Sequence, residues 1–319
     1  MVNDDQTDIE TVPPGQSEKS VRLSMDSPGS ADATSVLTFA HSPDPDDAYM
    51  FYGFAHGAVT VPGYVVRHHL EDIQALNERA FRGEFEITAV SAHAYAYLSD
   101  RYWVLNCGAS VGRGYGPILV QRATTDASPS GAGQPAAAPA RIAVPGKWTT
   151  AALVLDLWLA EEGLRAEKII LPFDRILAAV ANGDADAGLI IHEGQLTYRE
   201  FNLDKTWDAG SWWQKKTGTP LPLGIDVVRS DLGRPLATQI SAALRRSILY
   251  AHAHPTEALD YALQYGRGLD PTLGKRFVGM YVNDDTLSQG QEVRRGLQTL
   301  YDWALTKGLI PTKPSIEFV

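Results

Sequence analysis

Between Arg141 and Ile191 the chain alternates short apolar runs with helical patterns tightly enough to dictate a βαβαβ unit. Arg141-Ile142-Ala143-Val144, Lys168-Ile169-Ile170-Leu171 and Ala187-Gly188-Leu189-Ile190-Ile191 read as strands. Each is too short for a buried helix and is bounded by turn residues. Between them, 150–162 sets Leu153, Leu157 and Trp158 on one helical face, and 174–182 stops at Gly183. Parallel strands joined by helices are covered on both faces, so this order specifies an α/β fold. The same alternation opens the chain. Val36-Leu37-Thr38-Phe39-Ala40, Val65 to Leu70 and Glu86 to Ser91 read as strands, again paired in parallel. A helix from about Asp46 carries Met50, Phe51 and Phe54 and closes near Gly57, and another runs from Asp72 to Arg82. Helical patterns return from Leu236 to about Gln264 and from Glu292 to Lys307.

These segments imply a discontinuous large lobe, 35–122 plus 226–319, and a continuous small lobe, 141–225, with a ligand cleft between them. Clefts of that kind are preferred small-molecule sites. Residues 1–34 are acidic and rich in Ser, Pro and Gly, the composition of a disordered tail. Residues 123–140, with Ala, Thr, Ser, Gly and Pro and no period, read as a flexible insertion. No internal repeat is visible. With 28 basic and 38 acidic residues the net charge is −10, which argues against nucleic-acid and anionic-membrane partners. It leaves room for a small anionic ligand held by a few local donors. A single cysteine, Cys107, excludes an intrachain disulfide and a multi-cysteine zinc site. No run approaches the length of a membrane span, and the first residues lack a basic start followed by an apolar core. A cytoplasmic location is the expectation, and the oligomeric state is left open.

Candidate chemistry gathers at the strand ends. His192 follows the last apolar run of the βαβαβ unit, where open α/β sheets place their ligands, and histidine is the one side-chain type whose unperturbed pKa lies near neutrality. A hydrogen-bonded structural histidine and a general base both fit that position. Ser42-Pro43-Asp44-Pro45-Asp46-Asp47 lies between a strand and a helix and suits either a capped helix or a binding loop. Its acidic residues lack the glycine and distal glutamate of a calcium loop, so no metal is expected there. Pro145-Gly146-Lys147-Trp148-Thr149-Thr150 is a second such turn, either an ordinary N-cap or an anion site helped by Lys147. Gly112-Arg113-Gly114-Tyr115-Gly116 resembles a dinucleotide loop, but Pro117 and Ile118-Leu119-Val120 continue as a strand where that motif needs a helix. These glycines suit a tight crossing between lobes, with Arg113 as a candidate anion contact. His68-His69, His93 and the His252/His254 pair show no metal-ligand spacing, no nucleophile elbow is present, and Trp212-Trp213 reads as packing.

Taken together, these segments resemble the 1,4-dihydroxy-6-naphthoate synthase family of the futalosine route to menaquinone. The resemblance runs from about Leu37 to Val319, leaving out 123–140. It rests on Ser42-Pro43 with Pro45, Gly112 to Pro117, Pro145-Gly146 with Thr149-Thr150-Ala151, and Pro172-Phe173-Asp174-Arg175-Ile176. Ala187 to Glu193, Leu221-Pro222-Leu223-Gly224, Tyr281-Val282-Asn283 and Phe318-Val319 complete it. It implies a two-lobed, periplasmic-binding-protein-like fold of type II and cyclic dehypoxanthinyl futalosine as a carboxylate substrate. It also implies a carbon–carbon lyase with no cofactor. His192 takes the place of the general base, and Ser42, Asp46, Ser91, Arg113, Thr149 and Thr150 are the expected substrate contacts. The chain departs from the family at three points: Asp44 and Asp46 stand where Cys and Asn are usual, and Ala89 where a lysine is common. Two other readings fit the same scaffold, a non-enzymatic carboxylate-binding protein and the sister enzyme chorismate dehydratase.

Overall fold

The strands fall into two sheets. The first begins with β1 (Ser35–His41), β2 (Tyr64–Leu70), β3 (Ile87–Ser91), β4 (Tyr102–Val104) and β5 (Ser110–Gly112). The second holds β6 (Ile118–Arg122), β7 (Arg141–Val144), β8 (Glu167–Ile170), β9 (Ala187–Ile190) and β10 (Leu203–Asp208); β11 (Leu221–Arg229) then returns to the first. The computed structural model describes residues 35–123 and 139–319. The expected tail at 1–34 and nearly all of the expected insertion at 123–140 lie outside the described residues.

Strand order in the first sheet is β2-β1-β3-β11-β4, with β5 on β11; in the second it is β10-β6-β9-β7-β8. The expected parallel pairs are present, β1 with β2 and β3, and β7 with β8 and β9. The antiparallel pairs were not expected: β11 on β3, β6 on β9 and β10 on β6. Strand β6 enters directly from β5 of the first sheet, and β11 enters after the helix Ala209–Thr217 that follows β10; both run against their neighbours. Strand β6 therefore lies with the second sheet rather than with 35–122, and the return to the first sheet begins at Leu221 rather than after 225. The orders β2-β1-β3-β11 and β8-β7-β9-β6 trace the same path, a repeat of topology that the sequence does not display.

Local chemistry fixes the helices that aim at the strand ends. Thr149 caps the helix Thr150–Glu161 by accepting the Ala152 N–H at 3.2 Å, and Leu153, Leu157 and Trp158 bury its inner face. Asp72 caps Ile73–Phe81 in the same way. The single helical stretch expected over 236–264 is two helices, Arg234–Ala253 and Pro255–Leu263, because Pro255 has no N–H to continue the ladder. Phe39, Leu244 and Ile248 pack on one side of the first sheet, and Val90, Val227, Leu297 and Leu300 on the other.

The two crossings between sheets lie side by side. The Ala209 N–H donates to the Pro117 carbonyl at 2.9 Å, and the Ser211 hydroxyl to the Gly114 carbonyl at 2.8 Å. At Gly210 a Cβ would sit 1.9 Å from the Tyr115 carbonyl oxygen, a backbone atom with nowhere to retreat. Alanine gains up to about 1 kcal/mol over glycine in a helix, whereas a forced overlap of this kind costs ~1–3 kcal/mol. The overlap wins, so Gly210→Ala should lower unfolding stability in a denaturant titration; an unchanged or raised midpoint would show that the crossings are loosely packed.

Candidate active site

Both sheets direct the carboxyl ends of their parallel strands toward one shared cavity. Ser42, Asp44 and Asp46 follow β1, Ser91 ends β3, Thr149 and Thr150 follow β7, and His192 follows β9, all lining that cavity. The equivalent strand ends of the repeated path thus supply the site. Arg113 and Lys147 are not among the lining residues. Arg113 instead grips Asp285 through Nε (2.6 Å) and Nη2 (2.9 Å) and Glu292 through Nη1 (2.9 Å), which commits its donors to the protein. The Lys147 ammonium lies over the Trp148 ring, 4.6 Å from its centroid. Trp212 stacks on Trp303, and the Trp213 indole N–H donates to Thr219 and to the Pro220 carbonyl, which makes the pair packing residues as expected.

The central contact is between His192 and Asp44, whose Nδ1 and Oδ2 lie 3.0 Å apart across the two sheets. His192 has φ +53, a left-handed conformation unusual for a side chain of this size, which turns it out of line with β9. The Phe173 ring meets the imidazole edge-on at 4.8 Å between centroids. On the other side the loop locks itself: the Asp47 N–H donates to Asp44 Oδ1 at 3.2 Å, and the Ser42 N–H to Asp47 Oδ2 at 2.7 Å. Beneath it, His41 donates from Nδ1 to the Ser42 carbonyl (3.2 Å) and shares Nε2 with His68 Nδ1 (3.0 Å). Burial and the neighbouring His68 press the His41 pKa down to about 3, so this supporting pair is neutral.

Four buried carboxyl groups, Asp44, Asp46, Asp47 and Asp226, face the cavity. Burial alone would raise all of them. At Asp44 the charge and hydrogen bond of His192, with hydrogen bonds from Asp46 and the Asp47 N–H, outweigh burial and hold the carboxyl below its ordinary value. At Asp46 burial and then the Asp44 charge push the pKa well up, and at Asp47 burial is joined by the charges of Asp44, Asp46 and Asp226. Burial lifts Asp226 to about 8. Beside His192, Asp44 is thus the carboxyl held toward ionisation, while its three neighbours are pushed toward the protonated form.

The two threonine hydroxyls expected to contact a ligand are already in use. The Thr149 hydroxyl donates to the Gly146 carbonyl at 2.9 Å, and that of Thr150 donates to the Leu223 carbonyl at 2.6 Å while accepting the His93 N–H at 3.2 Å. Ser91 accepts from the Asn77 amide at 3.0 Å. What the Thr150–Glu161 helix offers the cavity is therefore the N–H groups of its first turn, at Thr150 and Ala151, a natural anion seat. Sequence reasoning missed Asp44 as the partner of His192, and also Gln195 and Tyr281, which join across the cavity wall with the Gln195 amide donating to the Tyr281 hydroxyl at 2.9 Å. It also did not foresee that Asp44, Asp46 and His192 each offer one atom within 4.8 Å of the others, a donor set that suits a divalent cation.

Alike in fold are solute-binding proteins. An alkanesulfonate-binding protein from Xanthomonas axonopodis pv. citri superposes with a TM-score of 0.66 at 15% identity, over 91% of this chain and all of that one. A crystal structure of a protein from Archaeoglobus fulgidus superposes with a TM-score of 0.78 at 43% identity, over 88% of this chain and all of that one. The chain thus has a periplasmic-binding-protein-like fold, with the cavity lying between its two sheets. Residues 37–305 match the family described as menaquinone biosynthesis, and the chain belongs to that family. A 1,4-dihydroxy-6-naphthoate synthase of Thermus thermophilus is 39% identical over 284 residues, 89% of this chain and 99% of the relative. One of Streptomyces coelicolor is 35% identical over 279 residues, 86% and 95% respectively. Among the described residues no helix is long and apolar enough to cross a membrane.

The carboxyl groups make a measurable pH signature. Asp226 is 1% exposed, Oδ2 has no hydrogen-bond partner, and the group ionises near 3.8 when unfolded but near 8 when folded. Between those values the folded state holds the extra proton, so this group's contribution to stability falls as pH rises. Asparagine cannot titrate. The melting temperature of Asp226→Asn minus that of the wild type should therefore climb between about pH 4 and pH 8; a difference independent of pH would mean that Asp226 is ionised in the fold.

Proposed function

We propose that this chain catalyses the 1,4-dihydroxy-6-naphthoate synthase reaction, cleaving cyclic dehypoxanthinyl futalosine as a carbon–carbon lyase with His192 as the general base. The observation that carries the proposal is the Asp44–His192 pair in a cavity that also holds the free N–H groups of a helix N-terminus. Ionised Asp44 favours the tautomer with its proton on Nδ1, which leaves the Nε2 lone pair to take a proton from the substrate. The electron pair released then breaks a carbon–carbon bond of the spiro-linked sugar portion. The dihydroxynaphthoate leaves with its second ring aromatic, and a small sugar-derived fragment is freed. Aromatisation helps drive the step.

The remaining groups suit an anionic, hydroxylated substrate. The Thr150 and Ala151 N–H groups seat the carboxylate at the positive end of the Thr150–Glu161 helix. Burial raises the pKa of Asp46, Asp47 and Asp226, which favours their protonated forms and lessens the repulsion that four carboxylates would exert on an anion. Ser42 and Ser91 complete the contacts. Proton transfer to a histidine needs no cofactor. The proposal includes a cytoplasmic site of action and the lobe division described above, with β6 assigned to the small lobe.

Mass spectrometry of purified protein with cyclic dehypoxanthinyl futalosine tests this. Wild type should form 1,4-dihydroxy-6-naphthoate, and His192→Ala should lose about 10²–10⁴-fold in kcat while substrate affinity stays within a few-fold. Binding without product from the wild type would favour a carboxylate-binding protein instead, and full activity in His192→Ala would remove that residue from the chemistry.

A further inference from the structure

Arg267 touches the neighbours of both members of the Asp44–His192 pair without lining their cavity. Its Nη1 donates to Glu193 Oε1 at 3.0 Å, one residue past His192, and its Nη2 to the Pro43 carbonyl at 2.9 Å, one residue before Asp44. Its guanidinium carbon stands 4.6 Å from the centroid of Phe173, the ring that meets the His192 imidazole. Arg267 comes from the segment between the helices Pro255–Leu263 and Pro271–Tyr281, both of which pack against the helix Pro45–Met50 that follows Asp44. Glu193 and Phe173 belong to the other sheet's loops. One guanidinium therefore spans the two sides of the cleft.

The backbone at this point is held against its preference. Arg267 has φ +48, and Gly268 after it has φ +88. A non-glycine residue in the left-handed region persists where its surroundings over-determine it. Here the surroundings are three fixed partners: a carboxylate, a carbonyl and an aromatic face. The planar guanidinium with its fork of donors meets all three at once, which a lysine ammonium on a flexible stem cannot do. Glu193 is 8% exposed and its other oxygen has no partner, so Arg267 is also what balances this buried charge.

We infer that Arg267 is a positioning residue for the reaction: it clasps the Pro43 and Glu193 sides of the cleft and so sets the distance and tautomer of the Asp44–His192 pair. The inference rests on the assignment of His192 as the base. Arg267 never meets the substrate; it acts through Glu193, Pro43 and Phe173. Misplacing a reacting group by about 1 Å costs on the order of 100-fold in rate, so loss of the clasp should appear in kcat rather than in KM.

Two readouts test it on the full-length protein. The first is the ¹⁵N spectrum of histidine-labelled protein without substrate, with His192 assigned by its absence from His192→Ala. Wild type should show a single Nδ1–H tautomer, and Arg267→Gln a mixture of tautomers. The second is turnover of cyclic dehypoxanthinyl futalosine. Arg267→Gln should lose roughly 10- to 100-fold in kcat with KM within about threefold, Arg267→Lys should fall between it and wild type, and Glu193→Gln should add little on top of Arg267→Gln. An unchanged His192 spectrum in Arg267→Gln overturns the inference. A wild type that turns nothing over fails the synthase reading alone, because the spectrum still reports whether Arg267 holds the pair.

Discussion

Much of this structure serves to hold one contact, the 3.0 Å approach of Asp44 to His192. The two side chains hang from different sheets, so neither strand alone can set the distance. Asp44 is fixed by the self-locking Ser42–Asp47 loop and by the neutral His41–His68 pair beneath it. His192 is fixed by a left-handed backbone and the Phe173 edge. Arg267 joins the two supports.

Electrostatics follow from burial around that contact. The whole chain carries a net charge of −10, and four aspartates face the cavity, which looks hostile to an anion. Burial removes the difficulty. Desolvation favours the neutral acid, and only Asp44, which has a histidine to stabilise its charge, is held below its ordinary value. Within the Asp44–Asp46–His192 set, Asp44 and His192 hold each other, while a buried Asp46 oxygen keeps no hydrogen-bond partner.

A repeated topology explains why the site assembles where it does. In each sheet a central strand flanked by two parallel partners ends in a loop toward the other sheet, and the two crossings, pressed together at Gly210 and Tyr115, keep those ends facing. Parallel strands expose free N–H groups and helix starts at one end only, so two sheets arranged in this way concentrate hydrogen-bond donors between them. Solute-binding proteins of the same fold share this arrangement, and the chemistry comes from what the loops carry.

Local patterns along the chain specify the parallel strands, the capped helices and the residues at their ends. Periodicity, capping chemistry and turn residues act over a few positions, so Thr149, Gly183 and the apolar run before His192 could be read directly. Strands β6 and β11 gave no such signal of their membership, because which sheet a strand joins depends on a crossing packed against residues far along the chain. Arg113 looked available and is spent on Asp285; Asp44 looked like a helix cap, and it is both that cap and the partner of His192. Only the tertiary structure decided those roles. A side chain's charge state and availability are set by what surrounds it in space, and those surroundings come from segments that the sequence keeps far apart.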